Sequence, residues 1–343
     1  MRAACLLFAV ASASAAAAPA PPAPIAVTPG DKEAWVEWGP SAGATGYNVY
    51  SANGGAYTQI AANLKTLAFL QTGLTDGVDY SFYATAVDAS GESLPSLMID
   101  ATPNIPANFL PVFTASSVTN GASFAPGAVP GSIVTIFGTN LLTNTNGIHT
   151  AQQVPLPTTI ANTSVLVGGL LAPLFAADRN NNTGQEQINL QIPWEFAGHS
   201  SVPVVVNNGT TISASVTVPL AAAQPGVFIL DSANDGFLHG DYAVVNAARP
   251  AQPGEEILAY LTGLGAVTAT PSSGSVGSAN TSTTPVVQIG SLNATVDFSG
   301  LAPGFVGLYQ VNFTVPPTTP SGTQSVVVAI GGTAAAAASL PVQ

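Results

Sequence analysis

An all-β chain of three β-sandwiches in tandem is what this sequence predicts, and three observations predict it. Short apolar runs alternate with turn residues about every ten positions, the spacing of small antiparallel sandwiches. Gly and Pro number 34 and 28 of 343 residues, which suits many strands joined by tight turns and stays below the level of disordered chains. Few stretches carry the Leu, Glu and Lys at helical spacing that a helical chain would need. The length holds two or three domains of ordinary size, and 47% hydrophobic residues give each a core to bury.

The chain begins with an expected export signal over residues 1–18. Met1-Arg2 is followed by apolar Ala3 to Ala11 and then by small residues, Ala13-Ser14-Ala15 among them, the layout of a secretory leader. Cys5 is the only cysteine and lies inside that apolar run, so the mature chain has no disulfide, thiol catalysis or thiolate metal site. No later stretch is long and apolar enough to span a bilayer. A secreted protein is expected, with the periplasm or the cell surface as alternative destinations.

Residues 22–103 make the first sandwich. Ala34-Trp35-Val36-Glu37-Trp38 alternates and breaks at Gly39-Pro40, and Tyr47-Asn48-Val49-Tyr50 runs into the turn Ser51-Ala52-Asn53-Gly54-Gly55. Leu74 to Tyr80 passes round Asp76-Gly77 into the strand Ser81 to Val87. This segment resembles the fibronectin type III family. Leu74 and Tyr80 match its tyrosine corner, Trp38 its core tryptophan and Gly91-Glu92-Ser93 its late loop. The resemblance implies an immunoglobulin-like sandwich in which the Tyr80 phenol bonds back to the corner's backbone. Trp38, Tyr47, Tyr80 and Phe82 are expected in the core. Trp35, three residues before Trp38, faces the other side of its strand.

Residues 113–219 and 222–343 read as two copies of one unit. Pro130-Gly131 recurs at Pro253-Gly254, Thr139-Asn140-Leu141 at Thr262-Gly263-Leu264, and Gln187 to Pro193 at Gln310 to Pro316, each 123 positions on. Val165-Leu166-Val167-Gly168 matches Val287-Gln288-Ile289-Gly290 with a one-residue slip. Ile133 to Phe137 and Ile257 to Leu261 are expected as inner strands. Ile188, Leu190 and Ile192 share one strand face, with Gln187, Asn189 and Gln191 opposite, placed to tie down neighbouring backbone or to hold a ligand. Over residues 113–343 the chain also resembles the Solibacter-type uncharacterised C-terminal domain family of secreted acidobacterial proteins. The matching stretches are Asn120 to Gly138, Gly184 to Glu195 and Ala302 to Asn312. That resemblance implies an exported bacterial protein with immunoglobulin- or TIG-like units, and brings no activity with it. The full expectation is three tandem immunoglobulin-like β-sandwiches.

Composition excludes several partners. Five basic residues stand against 17 acidic ones, a net charge of −12, and scattered cations cannot neutralise a phosphate backbone. Nucleic acid and anionic lipid are therefore not expected. No Gly-x-Ser-x-Gly elbow, His-Glu-x-x-His helix or phosphate loop occurs, so no catalytic residue and no cofactor is assigned. Asp178, Asn180 and Asn182 space oxygen ligands like the first half of a calcium loop. Thr183 replaces its turn Gly and Asn189 its closing Glu, and an Asx-rich turn is the expected use. Asp231 to Gly236 is a second broken loop of this kind. His239 is the one histidine with carboxylates at close spacing, Asp235 and Asp241.

Trp194, Glu195 and Phe196 are the candidate binding residues. Their counterparts in the second copy are Pro317-Thr318-Thr319, so the shared fold does not require aromatics there. Packing between the second and third sandwiches is the expected use, with a ligand platform as the other. The function expected is a secreted, non-enzymatic binding, adhesion or spacer protein of the bacterial cell exterior, with an extracellular glycan or a surface protein as partner. The alternative is a carbohydrate-binding accessory protein to extracellular polysaccharide breakdown. It requires an exposed coplanar aromatic pair, which only Trp194 with Phe196, or Trp35, could supply. A glycan hydrolase ranks last, because the acidic residues are not paired at strand ends.

Overall fold

The computed structural model describes residues 17–104, 110–143, 146–180, 182–231 and 234–343. The expected leader, with Cys5, lies outside the described residues but for its last two positions.

The first sandwich is built from β1 (Ile25–Pro29), β2 (Glu33–Trp38), β3 (Gly46–Ala52), β4 (Thr58–Leu64) and β5 (Ala68–Thr72). It continues with β6 (Tyr80–Asp88), β7 (Gly91–Glu92) and β8 (Ile99–Ala101). One sheet has the order β1-β2-β5 and the other β4-β3-β6-β7, with β8 also on β6. Ala34, Val36 and Trp38 of the first sheet meet Val49, Phe82 and Ala84 of the second, as period-two alternation demands. The Thr75 N–H donates to the Tyr80 hydroxyl at 3.1 Å, so the tyrosine corner is formed. Tyr80 itself stands half-buried at the rim rather than in the core, since its ring must reach that corner.

The second sandwich comprises β9 (Val118–Asn120), β10 (Ile133–Gly138), β11 (Gly147–Thr150), β12 (Thr159–Ile160) and β13 (Thr163–Val167). After these come β14 (Leu170–Leu171), β15 (Leu174–Arg179), β16 (Glu186–Gln191), β17 (Ser201–Asn207) and β18 (Val216–Pro219). Its sheets run β11-β15-β16-β10-β9 and β12-β13-β17-β18, with β14 on β13.

The third sandwich comprises β19 (Gly226–Val227), β20 (Phe237–His239), β21 (Glu256–Thr262), β22 (Val286–Ile289) and β23 (Leu292–Leu301). It ends with β24 (Tyr309–Thr314), β25 (Gly322–Ile330), β26 (Thr333–Ala334) and β27 (Ala338–Val342). The long β23 pairs through its first residues with β22 and through the rest with β24, so it belongs to both layers.

The two ladders through the Gln-Ile-Asn strand coincide. Thr135 faces Asn189 across β10–β16, and Leu258 faces Asn312 across β21–β24, each partner displaced by the same 123 positions. A β-bulge interrupts β15 opposite Leu190 and Asn189, and another interrupts β23 opposite Phe313 and Asn312. A bulge re-aims a strand, so sharing one at the same rung bends both sheets alike.

The sandwiches are packed side by side rather than strung as beads. Trp35, Ala68 and Leu70 on the outer face of β2 and β5 bury themselves against Leu166, Val205 and Ile212 of the second sandwich. Asn207 adds a 3.3 Å hydrogen bond to the Thr28 hydroxyl. Polar ties join the second sandwich to the third: Asn120 Nδ2 to the Gln224 carbonyl at 2.8 Å, and the Ile133 N–H to Thr262 Oγ1 at 2.9 Å.

Candidate functional site

Pro193 ends the β16 ladder, because it has no N–H to donate, and Trp194–Phe196 turns away as a single 3-10 turn. This sends the three candidate side chains in three directions. Trp194 is 6% exposed and sits in the apolar cluster of the third sandwich. Its ring covers Gly131, where a Cβ would stand 2.3 Å from the indole carbons. Glu195 is exposed and accepts the Ser273 hydroxyl at 2.7 Å, while Ser273 Oγ accepts the Trp194 N–H at 2.9 Å. Phe196 turns back onto the second sandwich over Gly168 and meets His199 edge-on at 5.8 Å.

Gln191 makes the neighbouring tie. Its Nε2 donates to the Gly131 carbonyl at 3.1 Å and its Oε1 accepts the Gly274 N–H at 2.7 Å. The loop around Ser273 and Gly274 is thus held across the end of β16, and the amide serves backbone as the sequence suggested. Asn189 differs, since its Oδ1 is buried without a partner among the described residues.

The exposed pair expected of Trp194 with Phe196, or of Trp35, is not formed. Trp194 and Phe196 enter different cores, and Trp35 is fully buried with its Nε1 on Glu37 at 3.1 Å. What stays open at this seam is a cleft of about 350 Å³ lined by Val129, Pro130, Trp194, His199, Ala222 and Val267. Its walls are largely apolar, which suits a small apolar group better than a charged one.

The other candidates are engaged in local structure. Asp178 lies within β15, opposite Ile148 and Gln187. Asn180 Oδ1 accepts the N–H groups of Asn182 at 2.9 Å and Thr183 at 3.0 Å, an Asx turn, and its carbonyl accepts Gly184. Asn181, between them, lies outside the described residues. Among the described residues no group of three or more His, Cys, Asp or Glu is arranged to hold a metal. His239 does not pair with Asp235 or Asp241 but with Glu255, Nδ1 to Oε1 at 2.5 Å, and through Nε2 with the Arg249 carbonyl at 3.1 Å. Asp235 accepts the Ser339 N–H instead. Asp241 pairs with Arg249, whose hydrogen bond holds its carboxyl below the usual range. Strand spacing misleads here because β20 and β21 bring Glu255 in from a different turn.

One cluster was missed at the sequence level. Tyr50 of β3 and Tyr83 of β6 face each other directly in register and stack at 4.7 Å, 15° apart, on the outer face of the first sandwich. Tyr57 leans on Tyr83 at 4.8 Å. Beside them Glu92 Oε1 accepts Tyr50 Oη at 2.8 Å, Asn48 Nδ2 at 2.9 Å and the Thr85 hydroxyl. The signal was available: both tyrosines directly follow core residues, Val49 and Phe82, so alternation puts them outside.

No protein-family model matches the chain. An amylopullulanase of Thermoanaerobacterium saccharolyticum is 38% identical over 89 residues, which are 25% of this chain and 7% of that protein. An amylopullulanase of Thermoanaerobacterium thermosulfurigenes is 38% identical over 69 residues, 20% of this chain and 4% of that one. The chain therefore spans less than a tenth of the length of the curated relatives it matches. Among solved structures it is similar to an Fn3-like protein from Clostridium thermocellum, 28% identical, covering 27% of this chain and 99% of that one, TM-score 0.23. FN3tt is 25% identical, covering 26% and 98%, TM-score 0.24. The FN1-FN3 domains of chicken CNTN1 are 12% identical, covering 95% and 99%, TM-score 0.23. The fibronectin type III character of the first sandwich rests on its strand order and its tyrosine corner.

Proposed function

We propose that the chain is a secreted, non-catalytic binding and spacing protein of the bacterial cell exterior. The observation that carries this reading is the nature of its seams. Both junctions between sandwiches bury a tryptophan, Trp35 in one and Trp194 in the other, and each adds side-chain hydrogen bonds. Seams of that kind give one rigid body able to hold surfaces in a fixed arrangement, where polar linkers would give a flexible string. The 38% identity of a short stretch to amylopullulanases, of which the chain spans only a small part, fits a module that accompanies other activities. On this reading the units are residues 22–103, 113–219 and 222–343, the last two copies of one sandwich of the Solibacter-type kind, and Trp194, Glu195 and Phe196 are junction residues. Small-angle scattering of the mature chain tests it. One rigid shape matching the structure is expected, and a profile requiring an ensemble of domain orientations would sink the spacer reading.

The second reading, a carbohydrate-binding accessory protein, is favoured only by the similarity to proteins named amylopullulanase. A glycan array on the same material separates the two.

A further inference from the structure

The face of the first sandwich that carries Tyr50, Tyr57 and Tyr83 is turned away from the seam, because the seam uses the opposite sheet. Two features meet on it, and a third lies along its edge. The tyrosines form a stacked, half-exposed cluster, large and rigid contact area of the sort that anchors protein interfaces. Glu92 is exposed, and its three donors all converge on Oε1, leaving Oε2 without a protein partner among the described residues. Partial burial would raise this carboxyl, but the hydrogen bonds from Thr85, Asn48 and Tyr50 outweigh it and hold the group below the usual range, hence ionised.

The third feature is an apolar ridge along the same edge. Ser93 and Ser96 take the places of an edge strand: their N–H groups donate to Ala86 and Ala84, and their hydroxyls accept the N–H groups of those same residues. That doubled attachment fixes the segment beside Tyr83 and Thr85, and it leaves Leu94, Leu97 and Met98 outside at 76%, 79% and 58% exposure. Single exposed leucines are ordinary, whereas three large apolar side chains on six residues of a pinned edge are a patch.

We propose that this face docks another protein, through a segment in which an arginine-type side chain is flanked by apolar residues. Charge complementarity selects that chemistry. A guanidinium reaches Glu92 Oε2 in a charge-assisted pair and lies against the tyrosine cluster, while its apolar neighbours cover the ridge. A second copy of this chain is a poor occupant, because each of the four Lys and Arg side chains among the described residues already has an oxygen partner in its own chain: Lys32 with Asp31, Arg179 with Glu186, Arg249 with Asp241, and Lys65 on the Thr45 carbonyl. The proposal rests on the reading of the chain as a binding protein and names the partner's chemistry.

The test is calorimetric titration of the mature chain with a short peptide of alternating arginine and leucine, beside the same peptide with glutamate for arginine and beside maltoheptaose. Binding of the arginine peptide alone is expected. Glu92→Gln and, separately, Leu97→Ser should each weaken it about tenfold, while Asp297→Asn, which removes one exposed carboxylate from the third sandwich, should leave it within about twofold. Both test positions are exposed, so the fold is retained, and circular dichroism checks that it is. Absent binding, or equal weakening by Asp297→Asn, overturns the proposal, the latter because general attraction to an acidic protein would explain it. Maltoheptaose binding that Tyr83→Ala abolishes also overturns it and assigns the face to a glycan. Failure of the rigid-spacer reading would appear in scattering and leave this titration unaffected.

Discussion

Trp35 and Trp38 stand three residues apart on one strand and act in different places. Trp38 fills the first sandwich's own core against Tyr47, ring centres 5.7 Å apart. Trp35 fills the space between that sandwich and the next. Trp38→Ala should cost about 3–5 kcal/mol in urea unfolding of the chain, and a loss below about 1 kcal/mol would mean the ring is not core. Glu33 lies at the same seam, with Gly30 between it and Ile212. Burial first, and then the charge of Asp31, raise its carboxyl from 4.5 to about 7. The fold therefore tolerates the neutral acid better than the carboxylate. The associated stability is complete below about pH 4.5 and is lost as pH rises through about 7. Thermal melts should show Glu33→Gln raising the melting temperature at pH 8 and changing it little at pH 4. An equal effect at both would refute the ionisation account.

At the scale of the element, the recurring Thr-x-Leu motif is a left-handed turn. Asn140 has φ +56° and Gly263 φ +79°, the region where only Gly and Asn are at ease, and Leu141 and Leu264 then drop into their cores. The turn is anchored from one equivalent position by different chemistry. Glu186 accepts the N–H groups of Leu141 and Leu142, whereas Tyr309, 123 positions on, donates its hydroxyl to the Gly265 carbonyl. The positions differ in their surroundings. A Cβ at residue 263 would stand 2.1 Å from the Gln224 carbonyl oxygen, in the chain leading out of the second sandwich. Gly263→Ala should therefore destabilise by more than about 2 kcal/mol. Asn140→Gly, which gives up the 3.2 Å bond to the Leu110 carbonyl among its contacts but keeps an unstrained left-handed backbone, should cost about 1 kcal/mol. Chemical denaturation compares them, and equal losses would mean that the crowding by Gln224 does not matter.

For the whole molecule the seams decide the shape. Trp194→Ala should leave each sandwich folded by circular dichroism while the radius of gyration rises and the scattering profile comes to require several orientations of the third sandwich. Unchanged scattering would reject the junction role of Trp194. Gly131→Ala tests the same contact from the other side, since its Cβ would collide with the indole. It should shift the tryptophan emission of the folded chain, and unchanged emission would mean that the ring does not rest there.

Periodicity and punctuation carry information about a strand's neighbours in its own sheet, and that much was legible. Of the residues expected in the core, Trp38, Tyr47 and Phe82 are buried there and Tyr80 is not, and the Leu74–Tyr80 spacing marked a corner that the Thr75–Tyr80 hydrogen bond closes. Comparing the copies showed that Trp194 answers to something beyond its own sandwich. The same comparison could have flagged Leu166, buried under Trp35, because its counterpart Gln288 is exposed. It could not say what covers either residue. Partners such as Trp35 with Leu166, His239 with Glu255 and Tyr83 with Glu92 are chosen by how sheets and turns stack in space. A strand's alternation separates its two faces but does not distinguish solvent from a second sheet. The sequence by itself determined the strands, the corner and the repeated turns, because those are local backbone and side-chain preferences. Tertiary structure alone decided which outer faces became seams and which, like the tyrosine face, stayed open, because burial of an outer face depends on where the next sandwich comes to rest.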